Sequence, residues 1–288
     1  MASSWKKGLI RALKATVILL VSAVIALASI PYFFPDAIAR KVRYLINKEI
    51  DGELSFNKAR LSFFTHFPSL TLSLNDFVLT GSQPFDKDTL IAGKELGFGI
   101  NLADLLQREV SIEKFFLDEV FINVQVNELG QANYNIYKGS DSATTTTDTA
   151  SAKIALDKIV VSNSRLVYHD RTLPMRIETQ QFNYTGKGDL TKSVFDLQTQ
   201  VKIGRVDVSY DNIHYMLEKQ VKGELITQVN TQSFALVFKK NKIRINQLPL
   251  EFTGTLSFLS SGYDMDFTAQ SLSTSLEDML SALPPSYK

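Results

Sequence analysis

The sequence predicts a mainly β protein, in which an N-terminal transmembrane helix is followed by a curved antiparallel β-sheet of meandering hairpins that forms a groove, with a few short helices. Three observations lead to the helix and the antiparallel hairpins. Residues 15–34 form an uncharged run of 20 residues, which is long enough to cross a bilayer. Apolar and polar residues then alternate with a period of two, as in strands with one apolar face. The connections between these segments are short, which favours hairpins.

The uncharged run is interpreted as an uncleaved transmembrane signal-anchor. A helix of this length rises about 30 Å, the thickness of the hydrocarbon core. A cleaved signal peptide is the alternative, because Ala26-Leu27-Ala28 fits a cleavage site. The run continues past that site, which favours the anchor. The side chains expected to contact lipid are Ala15, Val17, Ile18, Leu19, Leu20, Val21, Val24, Ile25, Leu27, Ile30, Tyr32, Phe33 and Phe34.

The distribution of basic residues sets the expected orientation. Four lysines and arginines precede the span and four follow it at a similar distance, so their count alone does not decide. Lys14 adjoins the span, whereas the nearest downstream base, Arg40, is six residues away. We therefore expect residues 1–14 to be a cytoplasmic basic tail and the rest of the chain to be exported.

Composition excludes several classes of function. The 288 residues carry a formal net charge of +1, so no general attraction to nucleic acid is expected. The chain has no cysteine, which excludes disulfides, zinc–cysteine sites and thiol catalysis.

The exported part begins with a predicted amphipathic helix over 35–50, with Ile38, Val42, Leu45 and Ile46 at helical spacing. This helix either caps the β region or lies on the membrane surface. Strand-like alternation follows to residue 137, with a short helix expected over 103–108. Residues 138–152, KGSDSATTTTDTASA, lack large apolar side chains and are predicted to be a flexible loop. They separate this first β region, 35–137, from a second antiparallel region, 153–288.

The second region is predicted to be a meander of short strands, with a turn at Lys239-Lys240-Asn241-Lys242 that makes these bases and Arg244 a hairpin tip. A short helix, capped at Ser275, precedes Pro284-Pro285. That ending is expected of an interior junction in a longer architecture. The predicted strands are 154–162, 165–169, 175–184, 193–203, 205–210, 213–217, 223–230, 233–239, 242–245, 250–259 and 263–270.

A loose internal repeat links three of the segments. Residues 74–79, 117–122 and 156–161 each contain a leucine, a nearby aspartate and an apolar-rich strand, and Asp76, Asp118 and Asp157 lie 42 and 39 residues apart. This period indicates stacked β units that extend in one direction. Chance resemblance between short strands is the alternative.

The sequence contains no recognisable catalytic or cofactor motif. His66, His169 and His214 are far apart, and no phosphate-binding or dinucleotide-binding glycine pattern occurs. The cluster His169-Asp170-Arg171 could be an acid/base pair or a metal dyad, but a polar turn is the favoured interpretation. We therefore expect a protein that is not an enzyme and needs no metal or cofactor.

The order of the segments resembles the N-terminal portion of AsmA-family proteins, particularly the Bacteroidetes type. The motifs that support this resemblance are FPSLTLSLNDFVLTG at 67–81 and the pattern of apolar and turn residues at 95–136, which ends in NELGQANYNI. The resemblance implies an inner-membrane anchor and a β-rich body in the periplasm. It also implies a likeness to bridge-like lipid-transfer proteins, whose stacked curved sheets form a hydrophobic groove, and a role in outer-membrane biogenesis and phospholipid movement. The family brings no catalytic residues.

Two binding functions and one enzymatic function remain as hypotheses. In the first, the apolar face stays open and shelters phospholipid acyl chains. In the second, the chain is a non-enzymatic scaffold or regulator of outer-membrane protein assembly that binds envelope proteins. The least favoured is an envelope hydrolase that uses His169 and Asp170. Periodicity does not distinguish an open face from a closed sandwich. The expected groove-lining residues are Leu70, Leu72, Leu74, Phe98, Ile100, Val120, Ile122 and Val124.

Overall fold

The computed structural model describes residues 35–62, 66, 69–101, 104, 107, 111–136, 153–233, 235–259, 262–273 and 275–284. The signal-anchor 15–34 and the loop 138–152 lie outside the described residues, as does most of the expected helix 103–108. No helix within the described ranges has the length and hydropathy needed to span a bilayer.

The described residues form one sheet of eleven strands, in which each strand pairs with its neighbours in sequence. The first and last strands do not pair with each other, so the sheet is not closed. Two helices flank it: α1 (Pro35–Glu49) and α2 (Leu276–Ala282). The strands are β1 (Leu54–Ser62), β2 (Leu70–Thr80), β3 (Thr89–Ile100), β4 (Ser111–Val126), β5 (Lys153–Asp170), β6 (Met175–Lys187), β7 (Val194–Tyr210), β8 (Ile213–Asn230), β9 (Ala235–Ile245), β10 (Leu248–Leu259) and β11 (Gly262–Ser271).

The predicted antiparallel meander is confirmed for every neighbouring pair except β4 and β5, which are parallel. Their pairing runs from Ser111 opposite Lys153 to Val126 opposite Asp170. The connection over 127–152 is long enough for the crossover that a parallel pair needs. The sheet therefore continues from the first predicted β region into the second.

Four strands are longer than the sequence predicted. The pairs 154–162 with 165–169, 193–203 with 205–210, 213–217 with 223–230, and 233–239 with 242–245 were predicted as separate strands, and this is wrong. Each pair is one continuous strand: β5, β7, β8 and β9. Where the alternation changes phase, the sequence looks like a turn, although the backbone stays in the sheet.

The phase changes lie on one line across the sheet, which we call the bulge line. On it, five residues that are not glycine have left-handed backbones: Asp76, Glu119, Asn163, Gln181 and Glu218, with φ between 43° and 55°. Such conformations are uncommon outside glycine and mark bulges when they occur in strands. Side chains that share a face are three residues apart there instead of two. The spacing is seen in all of β1–β8: 56 and 59, 74 and 77, 93 and 96, 117 and 120, 161 and 164, 179 and 182, 203 and 206, and 216 and 219.

The basic cluster of Lys239, Lys240, Lys242 and Arg244 is not a hairpin tip, as predicted, because all four residues lie within β9. Asn241, which is 2% exposed, accepts a hydrogen bond from the Ile226 N–H at 3.2 Å and donates one to the Phe252 carbonyl at 3.2 Å. These bonds hold a bulge in the ladder between β8 and β9. Asn241 lies among lysines, a pattern that indicates a turn. In the structure its side chain instead bonds to backbone groups of both neighbouring strands, β8 and β10.

The two faces of the sheet differ in polarity. One carries the ordinary charged and amide side chains, with exposed ion pairs such as Lys94–Glu119 at 2.8 Å, Lys239–Asp196 at 2.6 Å and Lys242–Glu251 at 3.0 Å. Pairs of this kind contribute at most about 1 kcal/mol each. We call this the polar face; the opposite one is the apolar face.

Candidate functional site

The candidate site is the apolar face, which the strand registers make continuous. Near one end of the sheet, Leu79 lies opposite Ile91, Ile91 opposite Ile122, and Ile122 opposite Leu166. In the later strands the same face continues through Phe182, Ile203, Val221, Ile245 and Leu248, each opposite the next. Directly opposed side chains share a face of a sheet, so one apolar surface extends from β1 to β11.

Over the first strands, this face is covered by α1. Leu54, Phe56, Leu74, Phe77 and Val120 are at most 5% exposed and form one cluster. Ala39, Val42, Ile46 and Ile50 pack against that cluster from the helix and its end. The interpretation of the helix as a cap on the β region is therefore the one that its contacts support.

The eight expected lining residues all lie on the apolar face, but they differ in exposure. Leu74 and Val120 are 0% and 2% exposed and belong to the covered core. Leu72, Phe98 and Ile122 are half-buried and pack against that core. Leu70, Ile100 and Val124 are also half-buried. These residues lie mainly where the face is sealed or partly sealed by the chain itself.

Beyond β7, the described residues leave most of the same face uncovered. No aliphatic or aromatic side chain between Val206 and α2 is buried in the part of the chain that the structure describes. Phe258, Phe267 and Met265 are 44%, 45% and 64% exposed. The sequence reasoning missed these residues as lining candidates, although their alternation in 250–259 and 263–270 was the available signal.

Three phenylalanines form an aromatic cluster within this uncovered part. The ring centroids of Phe238, Phe252 and Phe267 are 5.4–6.2 Å apart, with tilted rings, which is a favourable arrangement. Gly254 lies opposite both Phe238 and Phe267. A Cβ at Gly254 would lie 2.5 Å from the Phe267 ring. Glycine is therefore required at this position for the Phe267 ring to pack against the sheet.

One buried cation interrupts the apolar face. Lys219, which is 3% exposed, lies opposite Val206. Its ammonium donates to the carbonyls of Ser281 and Leu283 at 2.7 and 2.8 Å, at the C-terminal end of α2. The partial negative charge of a helix C-terminus favours such a partner. Asn246 donates to the same Ser281 carbonyl at 2.9 Å, so the two side chains together fasten α2 to the sheet.

Helix α2 itself begins as the sequence predicted. The Ser275 hydroxyl accepts a hydrogen bond from the Asp278 N–H, which confirms the capping interaction. Its leucines and methionine remain exposed, with Leu276 at 69% and Met279 at 40%. The helix therefore extends the uncovered apolar surface instead of closing it.

The cluster around His169 is structural, as favoured: His169 and Asp170 end β5, and Arg171 begins the turn that follows. Asp170 is 2% exposed and accepts hydrogen bonds from the Tyr168 hydroxyl, the Thr172 N–H and hydroxyl, and the Leu173 N–H. Burial acts to raise the pKa of Asp170, but the hydrogen bonds from Thr172, Tyr168 and Leu173 outweigh it and lower the pKa. Burial and two nearby arginines lower the pKa of His169. These bonds hold the connection from β5 to β6.

Comparison with known proteins adds one match. The model of the AsmA family matches residues 6–277, which include the predicted anchor and all eleven strands. No curated protein matches the chain. Within the described residues, no group of three or more acidic or histidine side chains could hold a metal ion.

Proposed function

The chain belongs to the AsmA family, and from this premise we propose that its uncovered apolar face shelters the acyl chains of phospholipid close to the inner membrane. Family membership implies a role in cell-envelope biogenesis of the lipid-transfer type, and AsmA family proteins are non-enzymatic. The single observation that carries the proposal is the continuous apolar face, most of which the described residues leave uncovered beyond β7.

The energetics of such binding suit reversible exchange. Burial of a methylene group contributes about 0.8 kcal/mol, so about ten methylenes on the face would contribute about 8 kcal/mol relative to water. An acyl chain that comes from a bilayer is already out of water, and its transfer to the face costs little net free energy. A surface of aliphatic and aromatic side chains can therefore accept and release lipid without specific polar contacts.

The direction of α1 supports a placement of the membrane at one end of the sheet. Arg43 contacts Phe56, and Asn47 contacts Leu54, so the helix runs antiparallel to β1 and its start lies towards Ser62. Strand registers place the turn between β10 and β11 at the same end. Phe258 and Leu259, 44% and 57% exposed, lie there. We propose an anchor in the inner membrane, a body in the periplasm, and lipid entry at this end.

Photo-cross-linking in intact envelopes tests the proposal. A photo-reactive phenylalanine analogue replaces Phe252 or Phe267 on the apolar face, and the matched control replaces Thr253, an exposed neighbour on the polar face. We expect phospholipid adducts, identified by mass spectrometry, at the two apolar positions and not at the control. Protein adducts without lipid at Phe252 and Phe267 would overturn lipid binding and favour the scaffold function in outer-membrane protein assembly.

A further inference from the structure

Three basic side chains lie directly opposite one another on the polar face. Lys202 of β7 pairs with Lys222 of β8, and Lys222 pairs with Arg244 of β9. Along their strands they adjoin residues of the apolar face, such as Ile203 and Val221, so all three side chains point to the polar side. We call Lys202, Lys222 and Arg244 the basic row. Each of its members is exposed.

The basic row has no acidic partner among the described residues. Other bases on this face are paired: Arg205 lies 2.9 Å from Asp207, and Lys242 lies 3.0 Å from Glu251. The side chains of the row make no ion pair or hydrogen bond within the part of the chain that the structure describes. Like charges directly opposite one another destabilise a sheet. A bound anion would remove this repulsion.

A shallow depression adjoins the basic row on the same face. Its lining includes the amide side chains of Gln198 and Gln200, and two more bases, Lys187 and Lys240. Glu224 is the one acid among the lining residues, and it is two positions from Lys222 in the same strand. Amide groups both donate and accept hydrogen bonds, so the depression suits the polar part of a ligand whose anionic group lies on the row.

We propose that the basic row binds a phosphate group of a water-soluble ligand, whose polar remainder lies in the depression. The planar guanidinium of Arg244 can donate to two phosphate oxygens, and the two lysines supply flexible donors beside it. Three neighbouring strands span only about 10 Å, so the three long side chains can reach one phosphate. The proposal concerns the polar face and stands separately from lipid binding on the apolar face.

The size of the patch favours a small ligand over a protein. Its extent from β6 to β9, and along the strands from Arg244 to Lys240, is roughly 200 Å². A stable protein interface takes about 800 Å² of each partner. None of the described residues that line the depression is aromatic, whereas aromatic side chains dominate the binding energy of protein interfaces.

The position of the row favours a soluble ligand over the headgroups of a bilayer. Lys202 is eight residues along β7 from Val194, at the end of the sheet where the anchor is placed, which is about 26 Å. Headgroups at that end do not reach the row. Only this choice of ligand source uses the membrane placement proposed above.

Calorimetric titration of the full chain in mild detergent tests the site. The probe is inorganic pyrophosphate, without divalent cations and at constant ionic strength. We expect wild type to bind it, and K202Q and R244Q to weaken the dissociation constant roughly tenfold. E224Q removes a nearby negative charge and should tighten binding roughly twofold. The matched control K94Q removes the same charge elsewhere on the polar face, where Lys94 pairs with Glu119, and should not alter the dissociation constant. No binding by wild type, or an equal loss in K94Q, would overturn the proposal.

Two further probes distinguish the other occupants. Dihexanoyl phosphatidylglycerol, a water-soluble lipid, should not displace pyrophosphate; displacement at lower concentrations than pyrophosphate itself requires would assign the row to lipid headgroups instead. A photo-reactive analogue at Gln200 in intact envelopes should give no protein adduct that depends on Lys202. An adduct that K202Q abolishes would assign the row to a protein and overturn the proposal.

Unfolding by denaturant tests the repulsion within the row. K222E places a carboxylate between Lys202 and Arg244, so it should raise the denaturant midpoint without ligand and abolish the rise that pyrophosphate gives wild type. The matched control K94E makes the same change of charge beside Glu119 and should not raise the midpoint. A lower midpoint in K222E, or an undiminished effect of pyrophosphate on it, contradicts the proposal.

Discussion

Strands β1–β4 and β8–β11 belong to one sheet and show the same alternation of apolar and polar residues. The apolar face is covered by α1 in the first set and largely uncovered in the second. In the first, α1 lies over Phe56, Leu74 and Phe77, which are at most 5% exposed. In the second, Phe258 and Phe267 are 44% and 45% exposed. The difference shows that a period of two identifies the apolar face of a strand, whereas its cover comes from a separate element with helical periodicity.

The largest expected contrast between the two regions concerns stability. F77A removes a ring that is 1% exposed and should lower the free energy of unfolding by about 3–5 kcal/mol. F252A removes a half-buried ring from the uncovered face and should lower the free energy of unfolding by less than half as much. Denaturant unfolding of the full chain in mild detergent, followed by circular dichroism, measures both. Equal losses would mean that the second region is as tightly packed as the first.

The second-largest effect is expected at the β1 edge, where Asn47 of α1 bonds to the backbone of Leu54. N47A removes both hydrogen bonds to Leu54 and leaves a backbone donor and acceptor without these partners, which should cost about 1–3 kcal/mol. N57A is the matched control, because the Asn57 amide donates to the exposed Asp76 carboxylate, at 3.3 Å. Hydrogen exchange of the β1 amides should quicken in N47A and stay near wild type in N57A. No change in N47A would show that α1 does not protect this edge.

Acid should weaken the connection from β5 to β6 through Asp170. Its folded pKa is lowered, so its contribution is present above the ordinary aspartate pKa of about 4 and is lost as the pH falls towards the folded value. D170N should flatten the stability profile in that window and lower stability at neutral pH. The exposed Asp189, whose pKa is also lowered by hydrogen bonds from Thr191 and Lys192, provides D189N as a control with a smaller expected change. An unaltered acid profile in D170N would contradict the role of its hydrogen bonds.

The smallest global effect is expected at Lys219. K219M replaces a buried charge with an apolar side chain, so the free energy of unfolding should change by less than about 1 kcal/mol. The amides of 276–282 should nevertheless exchange faster, because α2 loses its bonds to the sheet. K222M, at an exposed position, should leave them unchanged. Slow exchange of α2 in K219M would show that Asn246 alone holds the helix.

Alternation in the sequence was sufficient to predict the mainly β class, the apolar face and most hairpins. It failed at the bulge line, because Asn163 and Glu218 adopt left-handed backbones within strands while looking like turn residues. The parallel pairing of β4 with β5 also left no trace in the periodicity. Of the three repeat segments, 74–79 and 117–122 each carry a left-handed residue, at Asp76 and Glu119. The third, 156–161, does not, so the repeat reflects bulges in only two of its members.

The candidate site was predicted on the correct face but not at its uncovered part. Leu74 and Val120 looked like Phe252 and Phe267 in the sequence, since all four occur in alternating segments. The cover over Leu74 is a tertiary contact with a helix that precedes the sheet, and its position follows from packing instead of from the local pattern. The exposed aromatic cluster of Phe238, Phe252 and Phe267 was missed for the same reason.

The bulge line determines which side chains of each strand point to the apolar face. A strand that crosses it shifts by one step within one residue pair of the level at which its neighbours shift. Without that shift, its remaining residues would turn polar groups towards the apolar side. All of β1–β8 make that shift, and β9, which ends at Ile245 opposite Val221, stops just before it with β10 and β11. The sheet is tallest across β4–β8, which all cross the line and have 13–18 residues, whereas β9–β11, which stop before it, have 10–12. Deletion of one residue at Glu119 would disturb the strand pairing across the whole width of the sheet, whereas a substitution there would act locally.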